Sequence, residues 1–134
     1  KKVCCISLVF LVSGNFWIFP DRVAKSWDAT LGHLPYYTLR KDVLNYLDSN
    51  GVTLDKVSGS FPYYESGKCL DLNSDTVRCS QVLPDRAEYI LYSNISNDYS
   101  DEQLLFLKEE CVPLKTFGKW PVRFVLYRNP EFNK

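Results

Sequence analysis

The sequence predicts a small α/β domain, a sheet of about four strands covered by two main helices and preceded by an apolar N-terminal segment. Three observations point there. Patterned segments follow in the order helix, strand, irregular stretch, strand, helix, strand, strand, in which helices cover a sheet that is at least partly parallel. A chain of 134 residues is long enough for one self-sufficient core. Finally, 17 uncharged positions run from Val3 through Phe19, which divides residues 1–19 from a soluble-looking remainder, 20–134.

The first segment, Lys1-Lys2 and then the uncharged run from Val3 through Phe19 that opens with VCCISLVFLV, is near the lower edge of a membrane-spanning helix, which needs about 20 residues. Three readings compete for it: the end of a transmembrane helix, the apolar region of a signal peptide, and a buried strand or core helix. A signal peptide lacks its small-x-small cleavage site here, while β-branched and aromatic residues speak for a strand. The sequence contains no methionine, so a fragment or processed form is expected.

Residues Asn15 to Tyr37 gather Phe16, Trp17, Phe19, Trp27, Tyr36 and Tyr37 around a short charged patch. Such rings are enriched where protein meets the headgroup layer, so this stretch reads as a membrane-boundary collar. Pro20 suits a first helical position, and Asp28 is placed to cap ATLGHL before Pro35 interrupts.

From Thr38 to Gly51, Leu39, Val43, Leu44 and Leu47 repeat at helical spacing, with Thr38 as N-cap and Gly51 as the left-handed terminator. Val52 to Phe61 reads as a strand, and Tyr63 to Leu83 as irregular, with Lys68 to Leu72 or Val77 to Val82 as short strand candidates. Glu88 to Ser93 is a short apolar strand. In the next helix Ser100 and Gln103 form a capping box, Tyr99 is placed to staple onto Leu104, and Cys111 comes late. Two strands close the chain, Val112 to Phe117, demoted to an edge by Pro113, and Val122 to Tyr127, joined by a turn at Gly118 to Pro121.

Lys plus Arg and Asp plus Glu each number 16, giving zero formal charge, whereas a nucleic-acid binder usually shows a basic surplus. The five cysteines form no CxxC pair, and with His33 as the single histidine no metal-site spacing exists, so neither metal nor cofactor is expected. Cys69 and Cys79 are either bridged, in an oxidising compartment, or buried free thiols. No GxSxG elbow, P-loop or GxGxxG follows any strand.

Asp28 and His33 are the one acid/base pair in the collar, set against a helix cap and a surface ring. Arg22, Lys25, Arg40 and Lys41 lie near it and can meet lipid phosphates or a phosphorylated substrate, the alternative being ordinary surface charge. Asp71 and Asp75 flank a turn without the rest of a calcium loop. Asn94-Ile95-Ser96 matches a glycosylation acceptor.

The stretches FWIFPDRVAKSWDATLGHLPYYTLRKDVLNYLDSNGV, ILYSNISNDYSDEQLLFLK and VRFVLYR resemble the C-terminal end of polytopic bacterial membrane proteins similar to family 39 glycosyltransferases. There the last transmembrane helix leads into a small extracytoplasmic α/β domain. The resemblance implies a parent enzyme of the bacterial inner membrane that transfers a sugar from a polyprenyl-phosphate donor, with this domain on the periplasmic side. Its partners would be membrane lipid, upstream transmembrane helices and the polyprenyl-phosphate sugar. The acidic catalytic residues belong to an early loop outside this sequence, so none is carried over. Trp27, Asp28, His33, Arg22 and Arg40 stand as candidate substrate or interface contacts. Two function classes follow: a non-catalytic terminal domain of a membrane glycosyltransferase, and an exported, membrane-tethered binding or interaction module. A soluble enzyme using Asp28 and His33 is a third.

Overall fold

The computed structural model describes residues 2–14, 34–60, 63–65, 78–80, 86–95, 98–119 and 122–132. Helix α1 spans Lys2–Gly14 and α2 spans Pro35–Ser49; a 3₁₀ turn at Leu54–Lys56 then leads into β1, Val57–Gly59. Strand β2 (Tyr89–Ser93), helix α3 (Asp101–Glu109) and strands β3 (Val112–Lys119) and β4 (Val122–Arg128) complete the order. The four strands form one mixed sheet, β1-β2-β4-β3, in which β1 and β2 are parallel and the other neighbours antiparallel.

Helix α2 begins three residues earlier than its periodicity suggests. Leu34 is the N-cap without a side-chain cap bond, and Pro35 opens the helix. Proline lacks the N–H that would be unpaired there, so Thr38 lies inside the helix and is not its cap. The C-terminus follows expectation. Gly51 sits at φ 66°, its N–H donates to the Asp48 carbonyl at 3.0 Å, and that of Val52 donates to Leu47 at 2.9 Å, the paired bonds of a Schellman ending.

One face of α2, Tyr36, Arg40, Val43 and Leu47, is buried. With Leu91, Phe117, Phe124 and Leu126 the apolar members of that face form the larger core cluster. The opposite face of the sheet packs Ile90 with Ala87, Tyr99, Leu107 and Cys111. Burial on both faces explains why β2 and β4 are apolar nearly throughout.

Of the strand expected over Val52 to Phe61, the described part, residues 52–60, forms only β1. The Lys56 N–H turns back to the Thr53 carbonyl at 3.1 Å, which spends the first residues on a turn. Ser80 makes an isolated parallel bridge to Ser58; this is what the described part of the Val77 to Val82 candidate contributes, and Lys68 to Leu72 lies outside the described residues.

The capping box of α3 is present: the Gln103 N–H donates to Ser100 Oγ at 3.3 Å, and the Ser100 N–H to Gln103 Oε1 at 2.9 Å. Tyr99 and Leu104 share the second cluster, as a staple requires. Helix α3 stops at Glu109, so Cys111 is a buried residue beyond it. Strand β3 is an edge, as Pro113 demands, with a register shift between Pro113 and Lys115.

Helix α1 has no buried residue. The reading of the N-terminal run as a buried strand is therefore corrected: Val3 to Gly14 is helical and outside both core clusters. Among the described residues no helix is long and apolar enough to cross a membrane.

Gly118 lies within β3, not in the expected turn, at φ 79°. A Cβ there would come within 2.6 Å of both Leu39 Cδ1 and the Val122 carbonyl oxygen, whereas one at Gly51 meets nothing within 4 Å. Gly51→Ala should cost about 1 kcal/mol for the left-handed backbone alone. Gly118→Ala should cost at least about 2 kcal/mol more, because overlap is added to strain. Urea unfolding of both variants measures the difference, and equal losses would mean that neither Leu39 nor the Val122 carbonyl stands this close to Gly118.

Candidate functional site

The buried face of α2 carries one charge. Arg40 is 9% exposed, so the ordinary surface position set against it does not hold. Its guanidinium carbon stands 5.8 Å from the centroid of the Tyr63 ring, within range of cation–π attraction. Tyr63 is fixed in turn by Phe124, edge-on at 5.4 Å, and by Tyr36 at 5.9 Å. Beneath this stack Gly59 keeps the backbone close: a Cβ added there would lie 2.9 Å from the Cβ of Tyr63.

Cys79 lies beside Arg40 and is a buried free thiol; Cys69, its candidate partner, lies outside the described residues. Burial pushes this thiol up to about 12, and the nearby Arg40 charge offsets only part of that. At neutral pH Cys79 is protonated and a poor nucleophile. Burial likewise raises the phenol of Tyr99, whose hydroxyl donates to the Leu91 carbonyl at 3.2 Å.

Above Arg40 a cleft of about 680 Å³ opens along α2, its terminating turn and the segment bearing Arg78. Leu44, Leu47, Val52 and Leu54 supply its apolar wall. Arg40, Arg78, Asp48 and Asp55 supply charge of both signs. Its volume falls within the usual range of small-molecule sites.

Of the residues singled out from the sequence, Arg40 is at this cleft. Arg22, Trp27, Asp28 and His33 lie outside the described residues, as do Cys69 and the Asp71 and Asp75 turn. Among the described residues no group of three or more His, Cys, Asp or Glu side chains is placed to hold a metal. Asn94 of the glycosylation tripeptide has a structural role, since its Oδ1 accepts the Arg123 N–H at 2.8 Å and so continues the pairing of β2 with β4.

Asp48, Asp55 and Arg78 were missed by sequence reasoning. Arg40, Leu44 and Asp48 recur every four residues along one edge of α2, a signal that was present but hidden by the stronger apolar stripe. Arg78 is brought in by the Ser58 and Ser80 bridge, which no local pattern announces. No family model, curated protein or solved structure matches the chain.

The Cys79 thiol makes stability depend on alkaline pH. Its folded pKa, about 12, lies above the ordinary value of 9.0, so its contribution is complete below pH 9 and is lost as pH rises toward 12. The slope attributable to this group is up to about 1.4 kcal/mol per pH unit in that window. Denaturant unfolding at stepped pH should show that slope reduced in Cys79→Ala; an unchanged slope would place the thiol in contact with water.

Proposed function

We propose that this chain is the non-catalytic C-terminal soluble domain of a membrane-bound, glycosyltransferase-like protein that uses a polyprenyl-phosphate sugar donor, held at the periplasmic face of a bacterial inner membrane. The observation that carries the membrane part is α1. Val3, Val9 and Leu11 are 75%, 66% and 72% exposed, and no residue of the helix is buried. A helix that is apolar all round belongs inside a large core or in lipid, and both cores of this domain form without it.

The one hydroxyl near its C-terminal end is satisfied internally, Ser13 Oγ donating to the Phe10 carbonyl at 3.2 Å, which suits an apolar medium. At 1.5 Å per residue α1 is about 20 Å long, short of a bilayer core, and the uncharged run continues in sequence to Phe19. The glycosyltransferase part rests on the sequence resemblance. Guanidiniums, carboxylates and an aliphatic wall are groups for holding a ligand, in keeping with a domain that helps shape the acceptor side without performing chemistry.

The cleft also favours a second reading, an exported binding module tethered by the N-terminal segment. Many hydrophobic spans encoded ahead of Lys1 support the transferase; a single span supports the module.

The tether is tested by floating the chain with phospholipid vesicles through a density gradient. The full chain should rise with the vesicles and resist alkaline carbonate, and a chain starting at Pro20 should stay below with its unfolding transition intact. A full chain that remains in the aqueous fraction sinks the membrane assignment.

A further inference from the structure

The exposed side of α2 changes character along the helix. Its buried side is Tyr36, Arg40, Val43 and Leu47. On the other side stand the N-cap Leu34, whose backbone is already helical at φ −52° and ψ −40°, and then Tyr37, Lys41 and Asp48. All four are exposed, Leu34 and Tyr37 by 57% and 59%. Their spacing keeps them within about 60° of one another around the axis. Asp42, also exposed, is turned about 100° from Lys41 and lies off this line.

Read from the N-terminus, the line runs apolar chain, ring with a hydroxyl, cation, anion, at about 0, 5, 10 and 21 Å along the axis. That order matches a lipid–water boundary crossed outwards. Leucine suits the acyl edge and tyrosine the headgroup level. A lysine stem lies along apolar surface while its ammonium meets phosphate, and a carboxylate belongs farthest from an anionic leaflet. Exposed apolar residues standing singly are ordinary, but here they head an ordered line at the end of α2 where the chain arrives from α1. The joining residues 15–33 add Phe16, Trp17, Phe19 and Trp27 to the sequence between them.

We propose that the first two turns of α2 are a second contact with the bilayer: Leu34 and Tyr37 enter the headgroup layer of an anionic leaflet, Lys41 meets lipid phosphate, and Asp48 is held out in water. The contact rests on the reading of α1 as a tether and deepens it by fixing which end of α2 faces lipid. Two apolar side chains and one cation hold less than a single myristoyl chain, itself a marginal anchor. The contact therefore orients a domain that α1 has already brought to the membrane, and a chain starting at Pro20 still stays below the vesicles.

The test places the ¹⁵N-labelled full chain in nanodiscs of phosphatidylcholine and phosphatidylglycerol, with part of the lipid carrying a gadolinium chelate on its headgroup. Paramagnetic relaxation falls with the sixth power of distance, so amide broadening at residues 34–38 should exceed that at residues 47–50 at least about tenfold, given the ~20 Å between the two ends. Tyr37→Ser combined with Lys41→Glu should bring the two ends to within about twofold of each other. Lys41→Glu alone, which keeps the ring, should reduce the gradient less.

Broadening that is even along α2, that is strongest at residues 47–50, or that keeps its gradient in the double variant overturns the contact and leaves the tether standing. A full chain that the nanodiscs do not take up sinks the tether and the contact together, so the two failures are distinguishable.

Discussion

Phe124 is the side chain on which both the core and the cleft depend. It is fully buried on β4, with Tyr36 of α2 at 5.5 Å on one side and Tyr63 edge-on at 5.4 Å on another. Aromatic pairs in these geometries add to what their burial already contributes. The stack also has direction: Tyr63, held by Phe124, presents its ring to Arg40, and Arg40 lines the cleft. A charge otherwise costly to bury is thus set by sheet packing, and the position of the cleft's guanidinium follows from the hydrophobic core.

Local sequence carried the elements whose causes are local. The four-residue spacing of Val43 and Leu47, the Gly51 ending and the Ser100 and Gln103 box all involve groups within one or two turns of each other, and all appear in the structure. The alternation of Val122, Phe124 and Leu126 likewise marked the face of β4 that meets α2. What failed were the choices that tertiary contacts decide. Gly118 looked like a turn glycine, and its positive φ and the nearby Val122 carbonyl are local reasons for one, but it lies within β3 and Leu39 of α2 also leaves no room for a Cβ, a neighbour that nothing in residues 112–122 reveals. Strand β1 shrank to three residues because a 3₁₀ turn takes the preceding ones.

The site was less legible than the fold for the same reason. Arg40 was visible as a basic residue near the collar, yet its burial depends on Tyr63, twenty-three positions away, and on α2 turning that edge toward the sheet. The partners that make a cleft of it come from three segments of the chain. Periodicity reports which residues share a face of one element; it does not report which elements meet at the edge of that face.

Arginine at position 40 needs a reason beyond packing. The neighbours of this position on the buried face are Tyr36, Val43 and Leu47, and a methionine or leucine would continue the stripe without charge. Replacing buried charged groups by well-packed apolar ones is often neutral or stabilising, so stability by itself does not call for a guanidinium here. The cation–π contact with Tyr63 is one of the interactions that offset the desolvation of Arg40, worth about 2 kcal/mol. What distinguishes the position is that Arg40, besides belonging to the buried face of α2, lines a cleft large enough for a small molecule, together with Arg78, Asp48 and Asp55.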